Sequence, residues 1–193
     1  MAKAFDSVSM IPLKEALTRI KLPIAAISFI INLFRGRSMR IITEYGLSDT
    51  FTAADGIDQG EVISPMIWRI FYDPLLARID QDVELGYKMT VIWPTTSSSF
   101  STHTHSCKVA GLAFADDTAW IASSQENLQR IIAISNEFFD ITDIEINGAK
   151  SELLTINGTP DAQVTMERSN TVVKAMAKPD NWDDFIDVFF DER

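Results

Sequence analysis

The chain has 193 residues, with 17 basic against 27 acidic side chains, a formal net charge of −10, and 46% hydrophobic and 23% charged residues. These balances exclude wholesale disorder and collagen-like repeats, and they fit one domain, or one plus an appendage, able to bury roughly two-thirds of its unfolded surface. The acidity argues against a broad basic face for nucleic acid, although residues 1–60 carry +1 while 61–150 and 151–193 carry −6 and −5.

In chain order, Lys3-Ala4-Phe5-Asp6-Ser7-Val8 reads as the end of a strand. Leu13, Ala16, Leu17 and Ile20 recur at spacings of three and four, which predicts a helix from Ser9 to Ile20. Pro23 suits the first turn of a second helix that stops before Gly36. This helix is apolar on nearly every side, so burial is expected. Its apolar run from Leu22 to Phe34 is short of the ~20 residues that span a bilayer, and no signal-peptide order precedes it. Met39–Tyr45 and Thr50–Ala54 read as strands joined by a turn at Gly46-Leu47-Ser48-Asp49. Ser64-Pro65 is the expected N-cap and first position of a helix to Ile79, with a kink at Pro74.

Gly86 to Trp93 is strand-like, and Pro94 to Ser106, rich in Ser, Thr and His, reads as a loop. Cys107 is the lone cysteine, so no intrachain disulfide can form, and the chain reads as soluble and intracellular, in cytoplasm or nucleus. Val109–Phe114 and Thr118–Ala122 predict a hairpin turning at Ala115-Asp116-Asp117. Ser123-Ser124-Gln125-Glu126 forms a capping box for a helix through Phe139. Asn147-Gly148 predicts a second hairpin between Ile144–Ile146 and Leu153–Ile156. Beyond Asn157 the pattern degrades, which sets a core domain at 1–157 and an acidic tail of unassigned role at 158–193. The aromatics Trp182, Phe185, Phe189 and Phe190 make the end of that tail either a partner-binding segment or a frayed terminus.

Two features carry candidate chemistry. Asp116-Asp117 puts two adjacent carboxylates at a hairpin tip, a pair that a divalent cation stabilises, and Mg²⁺ favours such oxygens together with substrate phosphate. Alone, the pair reads more readily as a polar turn. Gly56-Ile57-Asp58-Gln59-Gly60-Glu61-Val62-Ile63-Ser64-Pro65 is a loop whose backbone can approach a ligand closely ahead of a helix N-terminus suited to phosphate. Alone, it reads more readily as an ordinary strand-to-helix connection. Weaker candidates are His103, His105 and Cys107 as zinc ligands, against a solvated loop, and Arg35, Arg37 and Arg40 as phosphate contacts, against an exposed helix end. Met66, Trp68, Ile70 and Phe71 read as core.

In order and spacing, four segments resemble the palm motifs of reverse transcriptases, above all those of non-LTR, LINE-like retrotransposons. They are Ala4-Phe5-Asp6-Ser7-Val8, Gly56 to Pro65, Phe114-Ala115-Asp116-Asp117, and Ile146-Asn147-Gly148-Ala149-Lys150-Ser151-Glu152. The resemblance covers residues 1 to about 157 and implies an α+β palm-type fold: an antiparallel sheet with helices packed on one face, fingers and thumb largely missing. It implies an RNA-directed DNA polymerase using Mg²⁺ or Mn²⁺, with an RNA template, a DNA primer and dNTPs as partners of the intact parent. It implies Asp116 and Asp117 as metal ligands, Phe5 as the aromatic that closes the sugar pocket, Gln59 and Gly60 as the loop under template and nucleotide, and Lys150 beside the leaving pyrophosphate. Phe5 and Gln59 are then expected near the carboxylates.

The family pattern places another metal-binding Asp just before Met1, so an N-terminally truncated and inactive palm is expected here. A catalytically inactive remnant acting as a binding module is the competing reading. A phospho-receiver domain also pairs Asp with Mg²⁺ but needs alternating βα units that this pattern lacks. Group II intron-type reverse transcriptases share the motif order; the Lys3-Ala4-Phe5-Asp6 wording fits the LINE-like group better.

Overall fold

A computed structural model describes residues 5–53, 55–94, 102–156, 161–166 and 169–175. The tail aromatics from Trp182 onward, together with Lys3 and Ala4, lie outside the described residues.

Helix α1 (Met10–Arg19) buries Met10, Leu13, Ala16 and Leu17, one face at helical spacing. It packs against α2 (Ile24–Phe34) on one side and α3 (Ser64–Asp80) on the other, and α3 packs in turn on α4 (Gln125–Thr142). Leu13, Leu17, Ile27, Phe34, Ile67, Trp68, Phe71, Leu75, Ile131 and Phe139 form the continuous core between these helices. Residues Phe5–Ser7 form a turn leading into this layer, where a strand end was expected.

The expected burial of α2 on all sides does not hold. Ile27, Ile30 and Phe34 are buried, whereas Ile24 is 69% and Phe29 67% exposed. A helix at the edge of a layer can bury only the stripe that meets its neighbour, whatever its composition.

Residues 37–53 form one projecting hairpin in two tiers. Strand β1 (Arg37–Met39) pairs with β4 (Phe51–Ala53), and β2 (Ile42–Thr43) with β3 (Gly46–Leu47). The turn is therefore Glu44-Tyr45, not Gly46–Asp49. Thr43 fixes it, its hydroxyl donating to the Gly46 carbonyl at 2.8 Å and accepting from the Tyr45 amide at 3.2 Å.

Helix α3 starts one residue earlier than expected, at Ser64 itself. Ile63 is its N-cap, already in helical conformation, and Ser64 is the first helical residue with a buried hydroxyl. The helix continues through Pro74. After it, β5 (Tyr87–Pro94) pairs antiparallel with β6 (Thr102–Val109), which overturns the loop expected up to Ser106. Thr, Val and Tyr favour extended chain, but along both strands the side chains are mostly exposed on either face, so no hydrophobic alternation marks them.

Strands β7 (Gly111–Phe114) and β8 (Asp117–Trp120) form the predicted hairpin, with Phe114 opposite Asp117. The cap of α4 is Ser124, whose hydroxyl accepts from the Asn127 amide at 3.1 Å; it is a one-sided cap one residue on from the box expected at Ser123–Glu126.

The hairpin expected around Asn147-Gly148 is absent. Gly148–Lys150 form a short 3-10 helix, and Leu153 bridges in parallel to Ala175. Gly148 serves close packing here: a Cβ on it would lie 2.4 Å from the Thr171 hydroxyl oxygen. That neighbour belongs to a hairpin of β9 (Gln163–Met166) and β10 (Thr171–Lys174), which lies past the point where the sequence pattern fades. It covers α4 through a second small core of Ile132, Leu153, Ala162, Val164 and Val173.

The molecule is α+β. The strands among the described residues pair as five two-stranded antiparallel ladders.

Candidate active site

The β7–β8 turn is a two-residue connection, Ala115-Asp116, with Asp117 opening β8. Ala115 holds φ at +49°, in a region that L-residues rarely occupy. Two aromatic side chains of α3, one helical turn apart, grip the turn from below. The Trp68 indole N–H donates to the Ala115 carbonyl at 2.6 Å, and the Tyr72 hydroxyl lies 3.1 Å from the Thr118 hydroxyl. Both rings are only 2% exposed and are stacked, with centroids 5.6 Å apart and planes 17° from parallel. Burial pushes the Tyr72 phenol up to about 12, against an opposing pull from the Thr118 hydrogen bond.

Phe5 reaches the same aromatic block, its ring 5.6 Å from Trp68. Its backbone is tied to the glycine loop: Ile57 donates to the Phe5 carbonyl and Gly56 to the Val8 carbonyl, each at 2.9 Å. The expected closeness of Phe5 to the hairpin tip therefore holds through one intervening indole.

Asp116 is half-buried and Asp117 exposed. With Lys150 they line a cavity of about 480 Å³ between the hairpin, α4 and the β9–β10 hairpin, whose walls include Tyr72, Trp120 and Asn136. Phe5, Gln59 and Gly60 do not line it. Gln59 and Gly60 are exposed on the loop before α3, beside Asp58, which is ion-paired to Arg37.

That pairing removes Arg37 from the candidate phosphate contacts. Its guanidinium also donates to the Phe34 carbonyl at 2.9 Å and the Gly56 carbonyl at 3.0 Å, so it braces the loop. Arg40 donates to the Thr50 hydroxyl at 2.7 Å within the projecting hairpin. His103, His105 and Cys107 sit on strand β6, where the first and third are ~13 Å apart, too wide a spread for all three to meet at one zinc. Among the described residues no group of three His, Cys, Asp or Glu could hold a metal ion, and no helix is long and apolar enough to cross a membrane.

The sequence marks Trp68 as core and carries no signal that singles out Tyr72. Both are core, but each also carries a polar atom, and a buried Trp or Tyr one turn apart on a helix usually finds a partner for it. Met66, also expected in the core, is 55% exposed.

The family model for reverse transcriptase (RNA-dependent DNA polymerase) matches residues 1–179. The chain belongs to the reverse transcriptase family. The match runs through the β9–β10 hairpin as well as the four motifs. Similar curated proteins are Pol polyproteins of retrotransposable elements. The chain is 22% identical to the "Retrovirus-related Pol polyprotein from type-2 retrotransposable element R2DM" of Drosophila melanogaster, over 94% of its own length. To the Pol polyproteins from type-1 retrotransposable element R2 of Nasonia vitripennis and Popillia japonica it is 28% and 24% identical, over 66% and 77% of its length. It spans 16%, 11% and 22% of those three relatives. The resemblance to reverse transcriptases of non-LTR elements, read from the motifs, is thus shown for this chain.

Proposed function

We propose that this chain is the palm core of an RNA-directed DNA polymerase from an R2-like element, with Asp116, Asp117 and Lys150 at the site of nucleotidyl transfer. The observation that supports this most directly is the shared cavity lined by those three side chains. Adjacent carboxylate oxygens suit Mg²⁺ or Mn²⁺, which commonly bind through one or two carboxylates plus substrate phosphates. Asp116 and Asp117 would hold such a cation, which supplies charge neutralisation at the phosphates and activation of a primer hydroxyl. Lys150 brings a positive charge to the rim where a leaving pyrophosphate would collect negative charge. Phe5, carried on the Trp68 indole, would face the nucleotide sugar and exclude a 2′-hydroxyl. Gln59 and Gly60, exposed ahead of α3, would lie under the template and incoming nucleotide. An RNA template, a DNA primer and dNTPs are the corresponding partners.

A catalytically inactive binding module is the second reading, favoured by the two-carboxylate turn, which has no three-ligand group around it among the described residues. Titration of the chain with Mn²⁺ and a dNTP tests the first reading. Asp116→Asn is expected to remove Mn²⁺-dependent nucleotide binding. Undiminished binding in that variant would sink the assignment.

A further inference from the structure

We propose that Trp68 and Tyr72 are positioning residues that fix the direction of the Asp116 and Asp117 carboxylates, and that Trp68 also sets the distance from Phe5 to that pair. The proposal rests on the reading of Asp116 and Asp117 as metal ligands.

The geometry brackets the pair. Trp68 binds the residue before Asp116, and Tyr72 binds the residue after Asp117. The Ala115 carbonyl belongs to the same rigid peptide plane as the Asp116 amide, so a hydrogen bond that holds this oxygen also fixes the Asp116 N–H and Cα from which its side chain starts. The plane needs holding, because Ala115 sits at φ +49° without being glycine. On the other side, a tethered Thr118 hydroxyl fixes the first residues of β8. Neither aromatic can drift. Trp68 packs 5.8 Å from Phe71, and Tyr72 meets Phe138 edge-on at 5.7 Å. The indole that grips the turn also carries the Phe5 ring at 5.6 Å. One side chain thus spans the aromatic expected at the sugar and the turn expected at the metal.

Tyr72→Phe removes only a hydroxyl from a buried ring, and Trp68→Phe keeps an aromatic but removes the N–H. The test follows the backbone amide resonances of 115–118 and the Mn²⁺ affinity, read from the paramagnetic signal of free Mn²⁺, well below the unfolding temperature. Each variant is expected to broaden or shift the turn resonances and to weaken Mn²⁺ about threefold to tenfold, with the helix resonances of α4 unchanged. A purely structural role would lower the unfolding temperature and leave the Mn²⁺ affinity alone. Turn resonances and Mn²⁺ affinity identical to wild type in Tyr72→Phe would overturn the proposal, even where Trp68→Phe fails to fold. Asp116→Asn serves as the separate control: Mn²⁺ binding that survives it overturns the metal reading, whereas loss of binding there with unchanged affinity in both aromatic variants overturns the positioning role alone.

Discussion

Gly56 lies directly against the backbone of Asp6: a Cβ placed on it would sit 2.9 Å from the Asp6 carbonyl oxygen and 3.0 Å from its Cα. The contact joins two of the four family motifs, and two backbone hydrogen bonds beside it close the junction. Gly56 also holds φ at +93°. Gly56→Ala therefore combines a strained backbone with a clash against main chain that cannot swing away. It is expected to cost roughly 2–5 kcal/mol, the sum of a left-handed penalty and overpacking. Urea unfolding measures this, and a loss within experimental error would show that the junction is looser than its geometry.

The Tyr72 phenol gives the fold a dependence on high pH. Its value is raised from 10.0 to about 12 because burial disfavours the phenolate. A raised folded value means that the stabilisation is complete below pH ~10 and is lost as pH rises toward 12. A shift of this size corresponds to about 2–3 kcal/mol across that window. Tyr72→Phe removes the titrating group, so the difference in unfolding free energy between wild type and variant should change between pH 9 and 12. Parallel pH profiles would show that the phenolate is accommodated.

How far the sequence disclosed this structure depended on whether a local pattern was decided locally. The β7–β8 turn, α1 and α4 carry periodicity or turn chemistry that no neighbour overrides, and each formed as expected. Asn147-Gly148 signals a tight turn, but its glycine is used where Thr171 and Ser169 press in, a contact with no local signature. The exposed β5–β6 ladder lacks the alternation that marks half-buried strands. Of the candidate site, Asp116, Asp117 and Lys150 were legible through family motifs and meet at one cavity. Trp68 and Tyr72 were hidden because core and hydrogen-bonding roles look alike in a sequence when one aromatic serves both.

Asn136 offers a substitution expected to stabilise. It is 5% exposed in the wall of the cavity, and neither atom of its amide has a hydrogen-bond partner among the described residues. Its neighbour Ser135 donates to the Ile131 carbonyl at 2.9 Å, so that hydroxyl is satisfied within the helix. An unpaired buried polar group costs about 1–3 kcal/mol, and an apolar group of similar shape avoids that cost. Asn136→Leu should raise the thermal midpoint by about 2–4 °C per kcal/mol recovered in a chain of this size. A lowered midpoint would mean that the amide has a role in the cavity which leucine cannot take over.

The last expectation concerns synthesis by the 193-residue chain itself. Two-metal nucleotidyl transfer clamps both the attacking and leaving oxygens. Here the turn offers two adjacent carboxylates, Asp116 and Asp117, few ligands for two cations over a triphosphate. The net charge of −10 also opposes a primer–template, whose binding is driven by neutralising phosphates. The chain should therefore give no template-directed DNA synthesis above background with Mg²⁺ or Mn²⁺, and any association with primer–template should fall steeply with added salt. Asp116→Ala and EDTA controls distinguish background from a weak site. Robust incorporation of dNTPs that disappears in Asp116→Ala would show that the two carboxylates suffice, and the second-cation requirement would then have to be dropped.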